Sequence, residues 1–213
     1  MARLTLAVVI ISFIFSCSTH PTNKLAKTSP YNFPFVTKEE WEGRPPTDVF
    51  PMETPVPYVV IHHTYIPDVC YTSDECKSAM RGMQNFHQLT NGWADIGYSF
   101  AVGGDGKVYE GRGWEAVGAH AVGVNTRSIG IALIGDFVSK LPSETQLAPV
   151  HKLIATGVEL GYIRPDYTLI GHRAVSATEC PGGALFQEIS TWPHFDKEVS
   201  ENQPTTEAVT QLN

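Results

Sequence analysis

The chain has 213 residues, 42% hydrophobic and 17% charged, enough apolar material to bury a substantial core without relying on several disulfides. Its formal net charge of -7 argues against nucleic acid or an anionic membrane surface as the main partner, and no long basic run opposes that reading.

At the N-terminus, Arg3 precedes an apolar stretch over residues 4–15, followed by small residues at Ser16 and Ser18 and then a polar segment. The stretch is shorter than the roughly 20 residues a membrane span needs. Residues 1–18 therefore read as a signal peptide, and the mature protein as secreted and extracellular, with no membrane span. Residues 19–32 are polar and Pro-containing, while residues 196–213 carry Glu, Gln and Thr without an apolar period, so a flexible segment and a disordered tail are expected there. One folded domain remains over residues 33–195, without internal repeats.

Within that domain, the β-branched run at 58–63 after Pro57 predicts a strand. Methionines 80 and 83, Phe86 and Leu89 fall at helical spacing and predict a helix over 74–89. Segments 97–102 and 108–110 flank Gly103-Gly104-Asp105-Gly106-Lys107, a strong hairpin signal. Buried strands are expected at 129–134 and 167–170, and between them Ser143 with Gln146 reads as a capping box opening a helix to Leu160, which Gly161 stops. A third helix should follow Pro181-Gly182-Gly183 and carry Leu185, Phe186 and Ile189 inward. The alternation gives an α/β (α+β) fold, a single domain with a central, mostly β-sheet flanked by helices.

Of four cysteines, Cys17 falls in the signal peptide, and Cys70 and Cys76 are close enough in a polar loop to bridge. Cys180 is then the odd thiol of an exported chain, eight residues after His172. Imidazole and thiolate together suit zinc, with His172 and one histidine of Val60-Ile61-His62-His63-Thr64 completing three protein ligands and leaving a position for water. His62 and His63 point to opposite faces of a strand, so only one serves a given site. On spacing alone, buried histidines and an inert buried thiol account for the same residues.

The runs Val60-Ile61-His62-His63-Thr64, Asp95-Ile96-Gly97-Tyr98-Ser99-Phe100, Tyr109-Glu110-Gly111-Arg112-Gly113-Trp114, Gly118-Ala119-His120, Gly171-His172-Arg173 and Thr178-Glu179-Cys180-Pro181-Gly182 resemble the peptidoglycan recognition protein family. That family is related to phage-type zinc amidases, and the resemblance is nearest to its secreted, amidase-active insect members of the LB type. It implies a type 2 amidase fold in which His62, His172 and Cys180 hold Zn2+, Tyr98 stands beside the metal as an oxyanion donor, and His63 turns into the structure. Thr178 occupies the place of the phage enzymes' catalytic lysine, and Cys70 with Cys76 matches the family's short-loop disulfide. Members that only bind peptidoglycan commonly carry serine in place of the ligand cysteine, so Cys180 favours an enzyme over a receptor.

The implied reaction is N-acetylmuramoyl-L-alanine amidase hydrolysis of bacterial peptidoglycan and muropeptides, by a monomer acting in innate immunity. His87, Trp93, Trp114, His120 and Asn125 are the expected walls of the substrate groove. Arg112 is assigned to the extra carboxylate of diaminopimelic acid (DAP), which a planar guanidinium pairs through two charge-assisted hydrogen bonds. Other hydrolase classes lack their residues: there is no His-Glu-x-x-His helix and no Gly-x-Ser-x-Gly elbow.

Overall fold

The computed structural model describes Met1 and residues 30–197; the expected signal peptide and the tail beyond Lys197 lie outside the described residues. Six strands make one sheet: β1 (Phe35–Val36), β2 (Val56–His63), β3 (Phe100–Val102), β4 (Val108–Glu110), β5 (Ser128–Leu133) and β6 (Ile163–Gly171). Their order is β1-β4-β3-β5-β2-β6, with β3 and β4 an antiparallel hairpin and every other pair parallel. Three α-helices accompany the sheet, α1 (Ser73–Asn85), α2 (Glu144–Glu159) and α3 (Gly183–Ile189). No helix among the described residues is long and apolar enough to cross a membrane.

Alternation along β2 decides which side chains meet which layer. Val59 and Ile61 join Val150, Leu153, Ile154, Leu185 and Ile189, so α2 and α3 cover one face. Val60 and Ile170 pack instead with Ala121 and Val124, and Ala101 and Tyr109 with Cys76, Met80 and Met83 of α1, on the opposite face. His62 therefore shares the α1 face with Val60, while His63 falls with Ile61. Both layers are needed because a sheet buried on one side only would leave the other row of Val and Ile in water, at about 1.5–3 kcal/mol per side chain.

Several elements differ from the sequence expectation for identifiable reasons. Tyr31, placed in the flexible segment, accepts a hydrogen bond from Trp114 Nε1 at 3.0 Å and stacks on Phe35, so ordered packing begins before residue 33. Strand β6 starts at Ile163 and includes Pro165, tolerated because β6 is an edge strand. Segment 97–99 does not pair as regular strand: the Gly97 amide donates to His87 Nδ1 at 3.0 Å. Helix α1 is closed at its start by a reciprocal Thr72–Glu75 capping box and widens to a π-turn over Phe86–Thr90. Ser143 does precede α2, but no capping box forms with Gln146. Instead the buried Gln146 amide donates to the carbonyls of Val102 and Ile134 and ties the helix to two strand ends.

Candidate metal centre and substrate cleft

Parallel strands β2 and β6 are neighbours and end on the same side of the sheet, so His62 near the end of one and His172 just past the end of the other converge without any long-range coincidence. The edge at the carboxyl ends of parallel strands is where α/β sheets commonly place ligands. Cys180 is delivered by the loop after β6. Arg173 N donates to the Cys180 carbonyl at 2.8 Å, and Cys180 N donates to Thr178 Oγ1 at 3.2 Å. The loop ends at Gly182, with φ of 96°, where an added Cβ would come within 2.4 Å of the Phe137 backbone; only glycine fits.

These constraints bring the sulfur of Cys180 to 3.7 Å from His62 Nδ1, and the donor atoms of His62, His172 and Cys180 all lie within 4.8 Å of one another. A tetrahedral zinc with bonds of about 2.0–2.1 Å to nitrogen and about 2.3 Å to sulfur spaces its ligand atoms roughly 3.5 Å apart. The three donors fit such an ion after a small contraction. Their protonation fits too. Burial, reinforced by His120 and His172, holds the His62 imidazole well below its ordinary 6.5, and burial lowers His172 as well, so both rings keep a lone pair at neutral pH. Burial pushes the Cys180 thiol up to about 12 against the opposing charge of Arg173. A divalent cation reverses that preference, since a coordinating thiol is deprotonated outright.

His63 is turned away, as expected from strand alternation: its Nδ1 accepts from Phe137 N at 3.3 Å and lies 4.0 Å from Asp136 Oδ1. The half-open cleft over the cluster has a volume of about 460 Å³, and His87, Trp93, Tyr98, His120 and Thr178 line it with the three donors. Trp93 stacks on His87, ring centroids 4.8 Å apart, forming one wall. The Tyr98 ring lies 5.3 Å from that of His62, and burial raises its hydroxyl far above the ordinary 10, so it remains a proton donor.

Two residues expected on the cleft wall, Trp114 and Asn125, do not line it, and neither does Arg112, which was assigned to a carboxylate. Trp114 is a buried core residue on the α2 face, tilted against Phe100 at 4.4 Å and stacked on Tyr162 at 5.4 Å. Asn125 Oδ1 accepts from the amides of His120 and Ala121, so it shapes the loop that carries His120. Arg112 stands behind the wall, where its guanidinium donates to the carbonyls of Ile96 at 2.7 Å, Val117 at 2.8 Å and Asp95 at 3.4 Å. Cys70 and Cys76 do form a disulfide. The sequence reading missed a second, more apolar groove of about 1030 Å³ beside the cleft, bordered by the exposed Tyr65, Ile66, Tyr71 and Phe86. It also missed Ser128, a strand residue with no motif around it.

The sequence profile described as N-acetylmuramoyl-L-alanine amidase matches residues 52–183. Peptidoglycan-recognition protein LB of Drosophila melanogaster is 54% identical over 160 residues, covering 75% of this chain and 69% of that protein. Human N-acetylmuramoyl-L-alanine amidase is 47% identical over 161 residues, 75% of this chain but only 27% of that much longer protein. Among solved structures, wild-type Drosophila PGRP-LB superposes with a TM-score of 0.75 at 53% identity, over 76% of this chain and 95% of that one. Peptidoglycan recognition protein LE, in complex with tracheal cytotoxin, a monomeric diaminopimelic acid-type peptidoglycan, gives 0.75 at 44% identity over 76% and 95%. A profile match over most of the described fold, a relative at 54% identity and the superposed sheet agree: the chain belongs to the N-acetylmuramoyl-L-alanine amidase family, among its peptidoglycan recognition proteins.

Proposed function

We propose that the protein is a secreted, zinc-dependent N-acetylmuramoyl-L-alanine amidase that cleaves the amide between the lactyl group of N-acetylmuramic acid and L-alanine, preferring DAP-type peptidoglycan and acting on bacterial fragments in innate immunity. The observation that carries this reading is the convergence of His62, His172 and Cys180 in one half-open cleft of about 460 Å³. Zinc held there supplies Lewis-acid polarisation of a carbonyl and acidification of a water at neutral pH.

The chain's own residues supply the rest. Tyr98, kept protonated by burial, is the donor toward the oxygen on which negative charge develops as the amide carbon is attacked. Thr178 uses its oxygen to hold the Cys180 amide, fixing the ligand loop, and presents its hydroxyl at the cleft. Trp93 and His87 offer a flat, stacked wall for the stem peptide. Arg112 lies behind the cleft wall, has five N–H donors and uses three on carbonyls; the two that remain are the donors assigned to a carboxylate that reaches past the wall. That the structures of two relatives were solved with tracheal cytotoxin supports the assignment to DAP-type fragments.

Metal analysis of purified protein beside Cys180→Ser tests the proposal. The expected result is one zinc per chain and amidase activity in the native protein, with both lost in the variant while the fold is kept. A native protein without turnover would leave a non-catalytic peptidoglycan-binding immune receptor as the better reading, whereas a variant as active as the native enzyme would overturn the role of Cys180 as a metal ligand.

A further inference from the structure

We propose that His120 and Ser128 form a directional hydrogen-bond relay that sets the tautomer of His62, so that His120 is a positioning residue for the metal centre as well as part of the cleft wall. The inference rests on the proposed metal site but is read from a different set of atoms. His62 Nε2, the ring nitrogen facing away from Cys180, lies 3.0 Å from His120 Nδ1. His120 Nε2 in turn lies 3.4 Å from Ser128 Oγ.

The direction of each bond follows from the far end. Ser128 Oγ donates its only proton to the Val124 carbonyl at 2.7 Å, so toward His120 it can only accept. The His120 proton must therefore sit on Nε2, which leaves its Nδ1 a lone pair. That lone pair takes the Nε2–H of His62, and the remaining nitrogen of His62, Nδ1, is left unprotonated toward Cys180. Metal-ligating histidines commonly donate their other N–H to a fixed acceptor; here the acceptor is a second imidazole oriented by a strand serine.

The packing is built for that ring. Gly130 on β5 lies under it, and a Cβ there would come within 2.5 Å of His120 Cγ and Cδ2; a Cβ on Gly118 would come within 2.4 Å of His120 Cδ2. Asn125 Oδ1 holds the backbone amides of His120 and Ala121 at 2.9 and 2.8 Å, fixing the loop. Ring, loop and strand together leave the imidazole one orientation.

Two measurements test the relay. Nitrogen-15 NMR of the metal-free native protein at neutral pH should show His62 protonated on Nε2 and bare on Nδ1. Competition of Zn2+ against a chromogenic chelator should show His120→Leu, which fills the space without an acceptor, binding the ion about 10–100-fold more weakly. His120→Asn, whose side-chain oxygen falls near the place of Nδ1, should recover most of the affinity. A His62 proton on Nδ1, a His120→Leu variant that binds as tightly as the native chain, or an Asn variant no better than Leu each overturns the relay while leaving the metal site intact. A native protein that binds no zinc overturns the metal site instead, and the tautomer still decides the relay.

Discussion

Tyr98 packs its ring 5.3 Å from the ring of His62, on the open side of the metal cluster. Tyr98 also lines the cleft, burial keeps the proton on its hydroxyl, and the proposed function makes that hydroxyl the oxyanion donor. Tyr98→Phe is expected to lower kcat by about 100-fold, the usual scale for loss of one oxyanion donor, while zinc content and substrate affinity stay near native. Steady-state kinetics with metal analysis separate this from a binding role, in which KM would rise at constant kcat.

Three backbone carbonyls hold the Arg112 guanidinium, and the proposed function gives its remaining donors a carboxylate. Arg112→Lys keeps the charge without the fork. Loss of a charge-assisted pair of about 1.5–3 kcal/mol corresponds to roughly 10–100-fold in kcat/KM on DAP-type muropeptides, with little change on lysine-type ones. Equal losses on both substrates would assign Arg112 to supporting the loop instead.

Much of this site was legible in the sequence because strand ends carry it. His62 and His172 each adjoin the end of a β-branched run, and alternation along residues 58–63 already separates His62 from His63. Trp114 was misplaced because adjacency to a motif says nothing about which face a side chain takes; in the fold it fills the layer between Phe100 and Tyr162. Ser143 and Gln146 have the spacing of a capping box, but two buried strand-end carbonyls compete for the Gln146 amide and take it. Ser128 was illegible for a different reason: its role exists only through partners at His120 and Val124, and a lone strand serine carries no local signal.

Acid should destabilise the metal-free protein in a defined window. Burial lowers His87 from 6.5 to about 4, and its Nδ1 is engaged as an acceptor from Gly97. Above pH 6.5 neither folded nor unfolded chain protonates it. Between 6.5 and about 4 the unfolded chain binds a proton that the folded chain refuses, so stability falls as pH falls. The slope from this ring cannot exceed about 1.4 kcal/mol per pH unit, the limit for one proton, and partial solvation of the imidazole narrows the window over which it acts. Urea unfolding at pH 7 and pH 5 should show a smaller drop in His87→Asn, which keeps the acceptor without the titration; an equal drop would assign the acid sensitivity to other groups.

The Cys70–Cys76 bridge closes a short loop at the start of α1, beside the segment that carries Thr64 and Tyr65 to the cleft. Chain entropy for so small a loop gives about 2 kcal/mol. The double variant Cys70→Ala/Cys76→Ala should lose about that much in denaturant unfolding while retaining most of kcat, since neither cysteine lines the cleft. Loss of kcat at unchanged stability would contradict this division.

Mass spectrometry of a DAP-type muropeptide digest reports directly both which bond is cut and whether the cut needs a metal. With the native enzyme, the expected products are a glycan ending in free lactyl carboxylate and a stem peptide with a free L-alanine amine, abolished by a chelator and restored by zinc. Uncleaved muropeptide from zinc-loaded protein, or the same products formed in the presence of chelator, would contradict the account.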